Sequence, residues 1–117
     1  MSQADQDRRI DYIELPATDV AEAKKFYAAV FGWEFTDYGP GYSSFHDGRL
    51  AGGLTGEGRV ATGGPLIVLY AIDLEAIQDQ VREHGGTIVK ETFEFPGGRR
   101  FHFTDPSGNE LAVWTDR

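Results

Sequence analysis

The chain has 117 residues, of which 40% are hydrophobic and 13% aromatic, with a formal net charge of −8 and no cysteine. Such a chain is one folded domain with a single core rather than a disordered segment. The acidic balance counts against a nucleic-acid backbone or an anionic membrane as main partner, and the missing thiols exclude disulfides, thiolate metal ligands and a thiol nucleophile.

In chain order, Met1 to Arg9 is a polar tail, neither a signal peptide nor an anchor, and no stretch has the length to span a bilayer, so the expected compartment is the cytosol. Ile10 to Leu15 reads as a strand with Ile13 and Leu15 on one side and Tyr12 and Glu14 on the other, ended by Pro16. Asp19 then caps a helix, with Glu22 three positions on, and Val20, Ala23, Phe26, Tyr27, Val30 and Phe31 give it one buried stripe. Gly32 stops that helix as a left-handed terminal residue. Trp33 and Phe35 open the next strand, Gly39-Pro40-Gly41 is a turn, and 42–46 and 49–54 are two strands joined at Asp47-Gly48, a two-residue hairpin signal. Residues 55–65 are a glycine-rich linker. Leu66 to Ile72 is a continuous apolar run, expected to be a strand covered on both faces. Leu74, Ile77 and Val81 mark a second helix that ends at Gly85-Gly86. A strand from Thr87 to Glu91, a turn at Pro96-Gly97-Gly98 and a closing pair at 99–104 and 110–115 complete the chain.

The order repeats. Asp19 and Gly32 stand thirteen positions apart, and so do Asp73 and Gly86. After a tail at 1–9, residues 10–117 are therefore expected to form a single α+β domain from two repeats, 10–54 and 66–117. Each repeat is a βαβββ module, and together they would make a curled eight-stranded mixed sheet around a cleft, with the helices on the convex side.

Three stretches carry a family likeness: Ile10-Asp11-Tyr12-Ile13-Glu14-Leu15-Pro16-Ala17-Thr18-Asp19, Phe26-Tyr27-Ala28-Ala29-Val30-Phe31-Gly32-Trp33, and Asp105-Pro106-Ser107-Gly108-Asn109. The chain resembles the vicinal oxygen chelate superfamily, which includes glyoxalases, extradiol dioxygenases, methylmalonyl-coenzyme A epimerase and bleomycin-resistance proteins. The resemblance implies the duplicated fold, a small-molecule ligand and a homodimer whose modules pair within or between chains. It also implies a divalent metal held from the first and last strands of each module. The corresponding positions here are Tyr12, Gly52, Leu66 and Ala112. Glycine, leucine and alanine have no ligating side chain and a neutral tyrosine is a poor one, so no metal or other cofactor is expected.

By strand parity the concave surface should carry Tyr12 and Glu14, then Leu66, Val68 and Tyr70, then Glu110, Ala112 and Trp114, while Ile13, Leu15, Leu111 and Val113 face the helices. That lining suits an aromatic or cationic organic ligand. Glu14 is the candidate general base, with a structural ion pair to Arg100 as the alternative. His102, between Phe101 and Phe103, looks either into the cup as an acid–base partner or out to solvent. Tyr12, Tyr70, Trp114, Arg100, Leu66 and Ala112 are the candidate substrate contacts. Glu14, Glu110 and His102 would be the members of any displaced metal site. His84 suits the negative end of its helix, and Trp33 the core. Three functions stay open: an enzyme or enzyme-derived protein acting without the usual metal, a sequestering protein of the antibiotic-resistance type, and a lyase or dioxygenase with displaced ligands.

Overall fold

The computed structural model describes residues 3–61 and 63–117; the part of the tail at Met1 and Ser2 and the linker residue Thr62 lie outside the described residues. The remaining tail begins with a short 3-10 turn at Gln3–Gln6 and is tied down where the Gln3 amide donates to Asp11.

The first half runs β1 (Tyr12–Pro16), α1 (Val20–Phe31), β2 (Glu34–Asp37), β3 (Tyr42–His46) and β4 (Ala51–Thr55). The second runs β5 (Ile67–Tyr70), α2 (Leu74–Glu83), β6 (Thr87–Phe95), β7 (Gly98–Thr104) and β8 (Glu110–Thr115). The duplicated βαβββ order is therefore present. Among the described residues the eight strands form two separate four-stranded sheets, β1-β4-β3-β2 and β5-β8-β7-β6, rather than one continuous surface. In each sheet the first strand runs parallel to the last and forms a free edge.

Local chemistry fixes the helices. The Asp19 carboxylate accepts from the Glu22 N–H and that of Asp73 from the Ala76 N–H, so both N-termini are capped by the same residue in the same way. Gly32 ends α1 at φ 72, and its N–H is taken up by the last turn. α1 lies across β2, β3 and β4, α2 lies across β6, β7 and β8, and the helices touch each other.

One core joins the halves. Trp33 is stacked between Tyr27, at 4.5 Å, and Phe45, at 4.4 Å, while Phe26 and Phe31 of α1 reach Phe103 of β7 at 6.0 Å each. A polar brace complements these rings. The buried Asp105 carboxylate accepts from the Tyr27 hydroxyl at 2.7 Å, from the Ser107 and Asn109 N–H groups and from the Asn109 amide, which also donates to the Pro16 carbonyl at 2.7 Å. Ser107 Oγ accepts from the Thr18 N–H. The Asp-Pro-Ser-Gly-Asn turn thus holds the second half to the first.

Three expectations change. Asp47-Gly48 is not a two-residue hairpin: β3 and β4 are joined by four residues, because the Asp47 carboxylate accepts from the N–H groups of Arg49 and Leu50 and widens the turn. The strand beginning at Thr87 runs on to Phe95, with register shifts between Ile88 and Lys90 and between Lys90 and Phe93. The run 66–72 is not covered on both faces. Leu66, Val68, Tyr70 and Ile72 are exposed, because β5 is an edge strand whose helix-remote face lies open.

Candidate functional site

Pairing register sorts the first sheet into two faces. Ile13, Leu15, Gly52, Leu54, Phe45 and Ser43 point towards α1 and the core, and Tyr12, Glu14, Gly53, Tyr42, Ser44 and His46 point away from it. On the outward face, Tyr12 and Tyr42 bring their hydroxyl oxygens to 2.5 Å, and the Tyr42 hydroxyl donates to Glu14 Oε2 at 3.0 Å. Burial and the contacts to Tyr12 and Glu14 raise the Tyr42 hydroxyl well above the usual tyrosine range. A side chain at Gly53 would collide with this arrangement, since its Cβ would stand 2.0 Å from the Tyr42 oxygen and 2.8 Å from that of Tyr12.

Counting from the turn picks Gly52 as the last-strand metal-ligand position of the first module, and the structure shifts it by one. Gly52 faces the core, where a Cβ would meet the Phe45 ring. Glu14 pairs with Gly53 as Val68 pairs with Ala112, so Gly53 is the true counterpart of Ala112; two residues separate Gly48 from β4 but one separates Gly108 from β8, which displaces the count. The corrected set, Tyr12, Gly53, Leu66 and Ala112, does not fit a divalent ion. In the first half the tyrosine hydroxyls occupy the space a ligand at 53 would need. Glu14 lies on one sheet and His102 and Glu110 on the other, so the three do not gather, and no group of three His, Asp or Glu able to hold a metal ion occurs among the described residues.

The outward face of the second sheet carries a row of rings. Tyr70 meets Trp114 edge-on at 5.2 Å, Phe95 follows at 6.2 Å from Trp114, the Arg100 guanidinium lies over Phe95 and Phe93 at 5.6 and 5.4 Å, and Phe93 covers His102 at 5.8 Å. His102 does not face solvent. It is 5% exposed, with Nδ1 2.9 Å from Glu110 Oε2. Arg100 Nε and His102 Nε2 are buried and find no hydrogen-bond partner among the described residues. Arg99 points the other way and pairs with Glu75 of α2, which holds that carboxyl below its usual range. Glu14 has Tyr42 as its partner, and Arg100 is engaged on the opposite sheet.

Between the halves lies a cleft of about 740 Å³, lined by Phe31, Trp33, Phe45, Tyr70 and Trp114, with Ile13 and Leu15 on the β1 side and Asp47 and Arg49 at one end. Of the sequence candidates, the cleft collects Tyr70 and Trp114. Tyr12 and Glu14 lie on the other face of β1, Leu66 is exposed beside β5, and Ala112 is fully buried. The cleft takes the inward face of β1 because α1 lies over β2–β4 and leaves Ile13 only half-buried. Sequence reasoning missed Phe31, Phe45 and Tyr42. Gly53 was the available signal for Tyr42, a residue without a side chain on a strand otherwise facing bulky neighbours.

Residues 9–113 match the Glyoxalase/Bleomycin resistance protein/Dioxygenase superfamily. The chain belongs to this superfamily. It is 33% identical to the anthracycline biosynthesis protein DauV of a Streptomyces species over 88% of its own length and 45% of that protein. It is 30% identical to a putative glyoxylase of Mycobacterium tuberculosis over 89% of its length and 44% of that protein. The chain thus spans less than half the length of these relatives. Among solved structures, a glyoxalase/bleomycin resistance protein/dioxygenase family enzyme from Burkholderia phytofirmans superposes with a TM-score of 0.80 at 15% identity, covering 92% of this chain and all of that one. A fosfomycin resistance protein from Mesorhizobium loti does so with 0.77 at 15% identity, covering 92% of each. These likenesses to solved structures establish the superfamily fold. No helix among the described residues is long and apolar enough to cross a membrane.

Proposed function

We propose that this superfamily member binds a small organic molecule with an aromatic body in the cleft between its halves, without a resident metal ion. The observation that carries the reading is the cleft, whose 740 Å³ suits a drug-sized ligand and whose walls present five aromatic rings with a single charged end. The biosynthetic relative points the same way, since its name ties it to a family of planar aromatic products. Sequestration needs nothing more than this lining.

Both tryptophans of the chain, Trp33 and Trp114, line the cleft, so occupancy is directly readable. Titration with a planar anthraquinone should quench tryptophan fluorescence saturably, and Trp114→Ala should weaken the binding about tenfold or more. Fluorescence that stays flat to millimolar ligand would overturn the reading.

A catalytic reading keeps Glu14 and His102 as acid–base groups. It is favoured by the hydrogen-bond chain that ends on the Glu14 carboxylate and by the His102–Glu110 contact. We further infer that two copies pair through their free edges, β1 and β5, where Tyr12 and the strip Leu66, Val68, Tyr70 and Ile72 stand exposed. Pairing of this kind would set the outward face of one copy's first sheet beside that of the other's second sheet.

A further inference from the structure

A second hollow, of about 520 Å³, lies on the outward face of the first sheet, on the other side of β1 from the aromatic cleft. Its walls include Tyr12, Tyr38, Tyr42, Glu34, Ser44 and His46, and none of the described residues lining it is lysine or arginine. The hydrogen bonds here have a direction. The Glu14 carboxylate only accepts, so the single Tyr42 hydroxyl hydrogen points to it, and the contact between the two tyrosine oxygens is then made by the Tyr12 hydrogen. Tyr12 is left with its oxygen lone pairs at the open end of the chain, 43% exposed as a residue and facing the hollow.

We propose that this hollow is a binding site for an organic ammonium group, held by the Tyr12 oxygen at the end of the Tyr12–Tyr42–Glu14 chain. An ammonium supplies the hydrogen that the chain end lacks, and its charge is stabilised along the chain by the Glu14 carboxylate behind it. The tyrosine rings and the Glu34 carboxylate on the same wall also favour a cation. A carboxylate or phosphate would find the donors of Tyr38 and His46 on this wall but no fixed positive charge, and would face the Glu34 carboxylate. Gly53 is what permits the site, because any larger residue there would displace both hydroxyls. The proposal is independent of the cleft, which uses the opposite face of β1.

The test is a comparison of benzylammonium, benzyl alcohol and benzoate, which share a ring and differ in charge, followed by amide chemical-shift mapping on the full chain. Benzylammonium should shift residues 34–46 and bind more tightly than the alcohol, and benzoate should leave those residues unmoved. Tyr12→Phe, which removes one oxygen, should weaken benzylammonium about tenfold. Gly53→Ala should weaken it at least as much. Equal binding of benzoate, an unchanged affinity in either variant, or shifts confined to residues 67–70 and Trp114 would overturn the proposal, the last while leaving the cleft reading intact.

Discussion

Asp105 is the residue on which most of the polar core converges. Its carboxylate takes hydrogens from Tyr27, Ser107 and Asn109, and Asn109 passes the link on to Pro16. Replacing it with alanine strands several buried donors at once, so Asp105→Ala should lower stability by about 3 kcal/mol in urea unfolding. Its partner gives a pH signature. Burial, and then the Asp105 carboxylate, push the Tyr27 hydroxyl well above the usual tyrosine range. Below about pH 10 the folded and unfolded chains both keep this proton and the contribution is pH-independent. Above it, the unfolded chain releases the proton while the folded one retains it, so stability falls as pH rises. Tyr27→Phe should show a shallower alkaline decline in the same unfolding experiment.

Helix ends were legible because their signals are local. Asp19, Asp73 and Gly32 act through their own backbone neighbours, and each does what its position in the sequence implies. The Gly32 site makes this measurable: at φ 72 a side chain is strained although nothing stands within 4 Å of a Cβ, so Gly32→Ala should cost about 1 kcal/mol in thermal unfolding with no change in packing. The alternation along β1 also separated Tyr12 and Glu14 from Ile13 and Leu15 correctly, because a period of two needs no knowledge of partners. Apart from the Asp47-Gly48 turn, which its own neighbours Arg49 and Leu50 widen, what failed depended on contacts remote in sequence. The Tyr12–Tyr42 contact requires the register of three strands, the cover over His102 arrives through the irregular register of β6, and the exposure of β5 follows from its place at an edge. Which face of β1 meets the cleft was equally hidden, being decided by where α1 lies.

At the scale of the molecule, among the described residues both sheets leave their first strand unpaired on the outer side, and β5 with its flanking Leu66 and Ile72 adds four exposed hydrophobic side chains to that edge. Such an edge invites a second copy, since backbone groups and apolar surface are offered together. Sedimentation velocity should give a dimer at micromolar concentration, and Val68→Lys, which places a charge in the strip without touching the core, should shift the chain towards monomer. A wild-type chain that stays monomeric to high concentration would remove the pairing and leave the cleft untouched.

The brace at Asp105 has a consequence for how the halves belong together. Their attachment is made by interlocked rings and by hydrogen bonds that cross from one repeat to the other. A cut between the repeats would leave two fragments, each carrying one side of a fitted lock, with the Tyr27 hydroxyl on one and its acceptor on the other. Neither fragment holds a complete core alone, so the duplication, once joined in this way, had become a single folding unit that its components no longer reproduce separately.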